Sequence, residues 1–286
     1  MSVQKTISIL LFVVGILLGM IILWQTWRSK DEFAAETGSI PLLCLLEAVI
    51  YFSATIGISD FLLNTLVIRH FRLTDNRKLP GTLVAATITP GAVIAFFLLR
   101  VDNPVRLQTL LPCSLSFAAG CAVGSRLVGK MDGKKIRTIL GYALIISMGV
   151  LVLRIVISRG AAGTGTGLSL PVLFPAVILV FLFAAVNMLG VPVKPACTAL
   201  FLLLGLSPLS TLTLVLVMCC VGPVAGAAPI IMEDRYHHRL ACSAVLFGTA
   251  GAVLGSLFTI TVSGVLLNIL LMFVLLVAII SIFTGE

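Results

Sequence analysis

The stretch Asn187-Met188-Leu189-Gly190-Val191-Pro192-Val193-Lys194-Pro195-Ala196-Cys197-Thr198 places a glycine, two prolines and a lysine inside an otherwise apolar run. Each proline removes a backbone N–H and clashes with the preceding turn, so a continuous helix is not expected to pass through the stretch. We therefore predict two helices within residues 170–206, joined by an unwound segment near residues 190–195. In a bilayer, the backbone groups freed by such a joint need protein or water as partners.

The lysine in this stretch is the first candidate for function. An ammonium group at the depth of a bilayer is costly and usually marks a charged partner, a pathway or a ligand. Interrupted helices of this kind are also where secondary transporters place their substrate sites. The alternative interpretation is a proline-kinked membrane helix with a purely structural role.

The composition is that of an all-α polytopic membrane protein in the cell membrane. Of 286 residues, 59% are apolar and 10% are charged, against about 45–50% and about 25% in soluble domains. The formal net charge of +8 belongs to the loops, and we attribute it to orientation in the membrane and to lipid headgroups. The lipid bilayer is therefore an expected partner, and nucleic acid is not.

The order of the segments predicts an internal duplication. We divide the chain into an N-terminal transmembrane helix with a polar connection (1–39), a first repeat (40–159), a glycine- and threonine-rich linker (160–169) and a second repeat (170–286). Each repeat has four apolar elements, and the first of them is interrupted, at Gly57-Ile58-Ser59-Asp60 in the first repeat. Each repeat also has a Gly-x-x-x-Gly helix, Gly120/Gly124 and Gly251/Gly255, which we expect to pack closely against a neighbour.

The two interruptions carry opposite charges, Asp60 and Lys194, at nearly equivalent positions of the predicted repeats. We expect them to meet near the membrane midplane. One interpretation is a structural ion pair; the other is a site where Lys194 binds an oxyanion and Asp60 acts as counter-ion or proton carrier. The other predicted substrate-binding residues lie beside the interruptions: Ser59, Asn64, Asn187, Cys197 and Thr198. Glu47 remains unassigned.

Enzymatic chemistry is not indicated by the sequence. The three histidines, His70, His237 and His238, all fall in basic loops, where we expect them to face solvent or headgroups. The seven cysteines fall in apolar segments, where small packing residues are the expectation. Cys197 is the exception, because it lies in the interrupted stretch. We therefore expect no catalytic residues, no metal site and no cofactor.

Two motifs give the chain a resemblance to a known family. Leu204-Gly205-Leu206-Ser207-Pro208, and the run 120–126 with the basic residues that follow it, resemble the turn and the Gly-x-x-x-Gly helix of the sulfite exporter TauE/SafE permeases. The similarity covers roughly residues 42–283. It implies a secondary permease for small anions, chiefly sulfite or organosulfonates. Such permeases commonly have adjacent glycines and a proline in the first interruption, so Gly57-Ile58-Ser59-Asp60-Phe61 leaves the individual substrate open.

Two alternatives compete with an anion permease. A drug/metabolite-type carrier needs ten spans in five-helix repeats, whereas the sequence has nine apolar segments. A non-transport membrane assembly factor is the other alternative. The oligomeric state is left open.

The orientation depends on whether each interrupted stretch crosses the bilayer or returns. Residues 170–206 form about 55 Å of helix at about 1.5 Å per residue, which is too long for one straight crossing of a core about 30 Å thick. We favour a return, which makes the repeats inverted. It places Arg235, His237, His238 and Arg239 on the cytoplasmic side with the basic loops at 69–78 and 126–137.

Overall fold

The computed structural model describes residues 3–74, 78–101, 105–127, 163–188 and 193–261, and helices dominate these ranges. The helices are α1 (Val3–Arg28), α2 (Lys30–Ala35), α3 (Ile40–Ala54), α4 (Asp60–His70), α5 (Leu79–Leu98), α6 (Leu107–Leu127), α7 (Leu170–Asn187), α8 (Lys194–Leu203), α9 (Pro208–Met232), α10 (His238–Ser243) and α11 (Thr249–Thr261). A π-helical turn, Ala244–Gly248, joins α10 to α11. Within these ranges, six helical segments are long and apolar enough to cross a membrane. The chain is therefore an all-α protein of the multi-pass membrane class.

The first interrupted stretch folds as a hairpin of two helices. The chain leaves α3 through Gly57, whose φ of +97° favours glycine. Ser59 then caps α4, its hydroxyl oxygen accepting a hydrogen bond from the Leu62 N–H at 3.4 Å. After α4 the chain is back beside its starting point, since the Thr37 hydroxyl donates to the Leu73 carbonyl oxygen at 3.5 Å. The predicted interruption is confirmed, and the stretch returns.

The second interrupted stretch also returns to the side from which it started. Gly165 N–H, just before α7, donates to the Gly205 carbonyl oxygen, just after α8, at 3.1 Å. In return, the Ser207 N–H donates to the Gly165 carbonyl oxygen at 2.7 Å. Helices α7 and α8 therefore form a second hairpin. Residues 189–192, which include Gly190 and Pro192 of the predicted joint, lie outside the described residues.

One detail of the second interruption differs from the prediction. Lys194 and Pro195 were expected in the unwound joint, but α8 begins at Lys194 and includes Pro195 in its first turn. Proline is well tolerated there, because the first N–H groups of a helix have no partner within the helix and the proline φ suits a helix start. The proline therefore lies in the first turn of the second helix of the hairpin.

The two hairpins enter the helix bundle from opposite ends. The start of α3 and the end of α4 lie where α5 begins. At this end of the bundle the His237 N–H donates to the Thr82 hydroxyl at 3.0 Å. The start of α7 and the end of α8 lie where α6 begins. At this opposite end the Arg106 N–H donates to the Thr166 carbonyl oxygen at 2.7 Å. The turn between α9 and α10 therefore shares one end of the molecule with the basic residues that follow α4. This agrees with the returning arrangement favoured by the sequence.

Helix α5 occupies the centre of the bundle and α1 lies outside it. Gly15 and Gly19 of α1 approach Ala92 and Thr89 of α5 so closely that a Cβ atom at either glycine would overlap them. The Thr89 hydroxyl also donates to the Gly15 carbonyl oxygen at 3.2 Å. The outer face of α1 is exposed and apolar, for example at Leu10, as expected for contact with lipid.

Both Gly-x-x-x-Gly pairs make close helix contacts, as predicted. A Cβ atom at Gly120 or Gly124 of α6 would overlap backbone oxygens of α7, and one at Gly251 or Gly255 would overlap backbone oxygens of α3. Each pair therefore packs against the first helix of the hairpin from the other half of the chain. This correspondence supports the predicted duplication, which stays a prediction. The predicted spans at 136–157 and 265–283 lie outside the described residues.

The burial of the two adjacent histidines corrects the expectation that they face solvent or headgroups. His237 and His238 are 1% and 0% exposed, while His70 is exposed as expected. The reason is that α2 folds over the turn between α9 and α10, where the Glu36 carboxylate accepts hydrogen bonds from the N–H groups of His238 and Arg239, both at 2.8 Å. Burial lowers the pKa of His237, against the opposing effect of Glu36.

Candidate functional site

The tips of the two hairpins meet inside the bundle through an ion pair between Asp60 and Lys194. Their side chains are 0% and 8% exposed. Each is the first residue of its helix, Asp60 of α4 and Lys194 of α8. The predicted encounter of the two charges is confirmed, and the N-terminal ends of two helices converge with them.

The electrostatics of this meeting point favour negative charge. A helix N-terminus carries a partial positive charge, which stabilises the Asp60 carboxylate and opposes the Lys194 ammonium. Among the described residues, the Asp60 carboxylate is the anion that pairs with this ammonium at the two termini. If Asp60 is neutralised or displaced, the meeting point becomes a site for an anion, with unpaired N–H groups at the helix starts available as donors.

Helix α5 supplies a third side of the site through Thr87. The Thr87 hydroxyl donates to Asp60 Oδ2 at 2.7 Å and lies 3.2 Å from the Tyr51 hydroxyl of α3. A hydroxyl has only one proton to donate, and the Leu83 carbonyl oxygen, 3.0 Å from the Thr87 hydroxyl, is a second acceptor for it. When Thr87 donates to Asp60, the shorter contact, Tyr51 can donate to Thr87. The carboxylate is thus oriented by one cation and one hydroxyl chain.

A small cavity adjoins the ion pair. Its lining combines the polar groups of the site with apolar side chains from α5 and α9: Tyr51, Asp60, Thr87, Gly91, Ile94, Lys194, Leu216 and Cys219. It has room for roughly one water molecule. A polyatomic anion is too large for this cavity.

A second buried acid, Glu47, lies on α3 one turn before Tyr51. It is 0% exposed and faces the Asn64 amide of α4. No described residue makes a well-aligned hydrogen bond to either carboxylate oxygen. An ionised carboxylate is costly in such surroundings, and the neutral acid is the form that they favour. The first hairpin therefore holds two acids, Asp60 paired and Glu47 unpaired.

Two of the predicted site residues have local backbone partners. Ser59 caps α4, as described above, and is 2% exposed. The Thr198 hydroxyl donates to the Lys194 carbonyl oxygen at 2.9 Å, one turn back along α8. Both side chains fix the starts of the helices that carry the charges.

Two other predicted site residues lie beside cysteines of neighbouring helices. Asn187 ends α7 and lies beside Cys121. Cys197 is fully buried near Cys121, Cys113 and Cys219. The structure therefore groups Asp60 and Lys194, with Asn64 one turn from Asp60, and places Asn187 and Cys197 in the packing between helices.

Tyr51, Thr87 and Cys219 were not predicted as site residues. The sequence holds one signal for Thr87, because Thr87-Ile88-Thr89-Pro90-Gly91 is unusually polar for an apolar span. The structure explains this polarity, since α5 is buried within the bundle along nearly its whole length. A span enclosed by other helices can carry hydroxyls that a lipid-facing span cannot satisfy.

Comparison of the chain with models of known families, with characterised proteins and with solved structures finds no significant match.

Proposed function

We propose that this protein is a secondary permease for small anions, with its substrate site where the two hairpin tips meet. The observation that carries the proposal is the buried pair of Lys194 and Asp60 at the converging N-termini of two interrupted helices. Such half-helix ends are used by secondary transporters to hold charged substrates near the midplane. The class of substrate, sulfite- or organosulfonate-like, comes from the resemblance to the TauE/SafE permeases.

In this proposal, the substrate competes with Asp60 for Lys194. Protonation of Asp60 removes the negative partner of the ammonium, and the anion takes its place together with N–H groups at the start of α8. One proton and one monovalent anion bring no net charge into the site. This avoids the cost of an unbalanced charge at this depth.

Movement of the hairpins provides the proposed route. Because α3/α4 and α7/α8 enter from opposite ends, separation of the tips on one side exposes the site to that side alone. Gly57, with its φ of +97°, is the proposed pivot of the first hairpin. Because the cavity beside the ion pair is too small for a polyatomic anion, the proposed transport requires the hairpin tips to move apart.

The orientation of the protein follows from its basic residues. Arg69, Arg72, Arg235 and Arg239 lie at the end of the molecule where the α3/α4 hairpin enters. By the positive-inside rule we propose that this end is cytoplasmic. The α7/α8 hairpin then enters from the outer side.

Flux into proteoliposomes tests the function. Purified protein is reconstituted and supplied with sulfite, thiosulfate, sulfonates and carboxylates under proton and sodium gradients. We expect at least one small anion to move, and Lys194→Ala to abolish its movement. Lys30→Ala is the matched control, because the Lys30 side chain is exposed and lies over the ring of Trp27. The proposal fails if no small anion moves under any gradient.

A further inference from the structure

A group of metal-ligand side chains lies far from the ion pair, where α2 covers the turn between α9 and α10. We call Glu32, Asp234 and His238 the turn cluster. His238 Nε2 lies 3.6 Å from Glu32 Oε2 and 3.5 Å from Asp234 Oδ2. One ligand atom of each residue lies within 4.8 Å of the others. The cluster joins residues that are 202 positions apart in the chain.

The burial of His238 makes this cluster unusual. His238 is 0% exposed, yet its Nε2 has no hydrogen-bond partner among the described residues. The same holds for Asp234 Oδ1. Buried polar atoms are normally hydrogen-bonded, and an exception calls for a cause such as a bound ion. The unpartnered imidazole nitrogen points at two carboxylates.

The distances fit ligands around an ion better than hydrogen bonds. An N–H to O hydrogen bond has a donor–acceptor distance of about 2.7–3.2 Å, shorter than both contacts of His238 Nε2. In a tetrahedral site with metal–ligand distances of about 2.0–2.2 Å, neighbouring ligand atoms are roughly 3.3–3.6 Å apart. The separations of 3.5 Å and 3.6 Å fall within that interval.

The surroundings hold the ligands in place. His238 Nδ1 lies 3.5 Å from the Thr26 hydroxyl of α1, and the Ser29 hydroxyl donates to Asp234 Oδ2 at 3.3 Å. Such contacts from outside the ligand set orient ligands in metal sites. The competing cation, Lys78, lies 3.8 Å from Glu32 with both side chains largely exposed, and pairs of that kind contribute little.

We propose that the turn cluster binds one of the divalent transition-metal ions, of which Zn²⁺ fits these distances best. One imidazole nitrogen with two carboxylates suits these ions, whereas Mg²⁺ and Ca²⁺ prefer oxygen ligands alone. The ion ties α2 to the turn between α9 and α10. It thereby fixes the N-terminal part of the chain to its second half, whatever the protein transports.

Thermal unfolding of the full chain in detergent tests the site. The protein is first stripped with a chelator, and unfolding is followed by the fluorescence of Trp24 and Trp27, which flank Thr26, the α1 residue that lies beside His238. We expect ZnCl2 or MnCl2 to raise the apparent Tm, and MgCl2 and CaCl2 to leave it unchanged. Chelator should reverse the rise.

Matched variants assign the effect to the cluster. Glu32→Gln should raise the zinc concentration needed for the half-maximal Tm shift by at least about tenfold, while Asp31→Asn, its neighbour outside the cluster, should not. Asp234→Asn and Glu233→Gln form a second pair with the same expectation. Glu32 carries the test if the Asp234 variant fails to fold, because the Glu32 side chain is 58% exposed.

Three results overturn the proposal. The first is no shift with zinc or manganese. The second is an equal response to magnesium. The third is an equal zinc response in Glu32→Gln and Asp31→Asn, which places the ion elsewhere.

Discussion

At the scale of single residues, substitutions of Lys194 test its proposed role in transport separately from its contribution to stability. If it binds the anion, Lys194→Ala abolishes flux, and Lys194→Arg transports poorly because a planar fork replaces a compact charge. Removing only one partner also leaves the other charge buried, which costs roughly 3–5 kcal/mol by analogy with buried pairs in soluble proteins. Flux and thermal unfolding of each single variant measure the two effects.

The double variant Asp60→Asn with Lys194→Met resolves them. It removes both charges, so we expect it to unfold nearer the wild-type temperature than either single variant. Flux in the double variant should stay lost, because no cation remains for the anion. Recovery of both stability and flux would show that the pair is structural and that the charge on Lys194 is not needed for binding.

Glu47 provides a second prediction at this scale. Because its carboxyl lacks an aligned donor among the described residues, we expect it to be neutral, and Glu47→Gln should change stability by less than about 1 kcal/mol. Asp60→Asn, which breaks the pair with Lys194, is the contrasting variant and should destabilise far more. Thermal unfolding in detergent compares them. Equal destabilisation by both substitutions would mean that Glu47 is ionised and has a partner.

At the scale of helices, the glycine pairs decide how closely the hairpins approach their neighbours. Leucine at Gly124 would collide with the backbone of Ala185, and leucine at Gly255 with that of Phe52. We expect Gly124→Leu and Gly255→Leu each to lower both the yield of folded protein and its thermal stability. Val123→Leu on the exposed face of α6 is the control and should behave as wild type. Wild-type yield and stability in both glycine variants would contradict this packing role.

At the scale of the whole molecule, the opposite entry of the hairpins gives a prediction for labelling. Ser169, before α7, and Glu233, after α9, are exposed at opposite ends. In intact cells, an impermeant thiol reagent should label Ser169→Cys, whereas Glu233→Cys should need permeabilised membranes. The unsubstituted chain, with its seven cysteines, is the background control. The reverse pattern would invert the proposed orientation, and labelling of both from outside would contradict the returning hairpins.

The sequence alone determined the class of the protein and the places where its helices break. These follow from local properties: apolar length decides which segments suit a bilayer, and proline and glycine decide where a helix is interrupted. The opposite charges at the two breaks were visible for the same reason, since an ionisable residue in an apolar run is costly wherever the chain folds.

Only the tertiary structure decided which groups surround those charges. Thr87 reaches Asp60 from 27 positions away, and His238 is buried because α2, some 200 positions earlier, folds over it. Lys194 starts a helix because the chain reverses before it and the helix continues beyond Pro195. Such contacts depend on which helices pack together. Hydropathy and helix-breaking residues determine local structure, and they do not specify which distant segments of the chain come into contact.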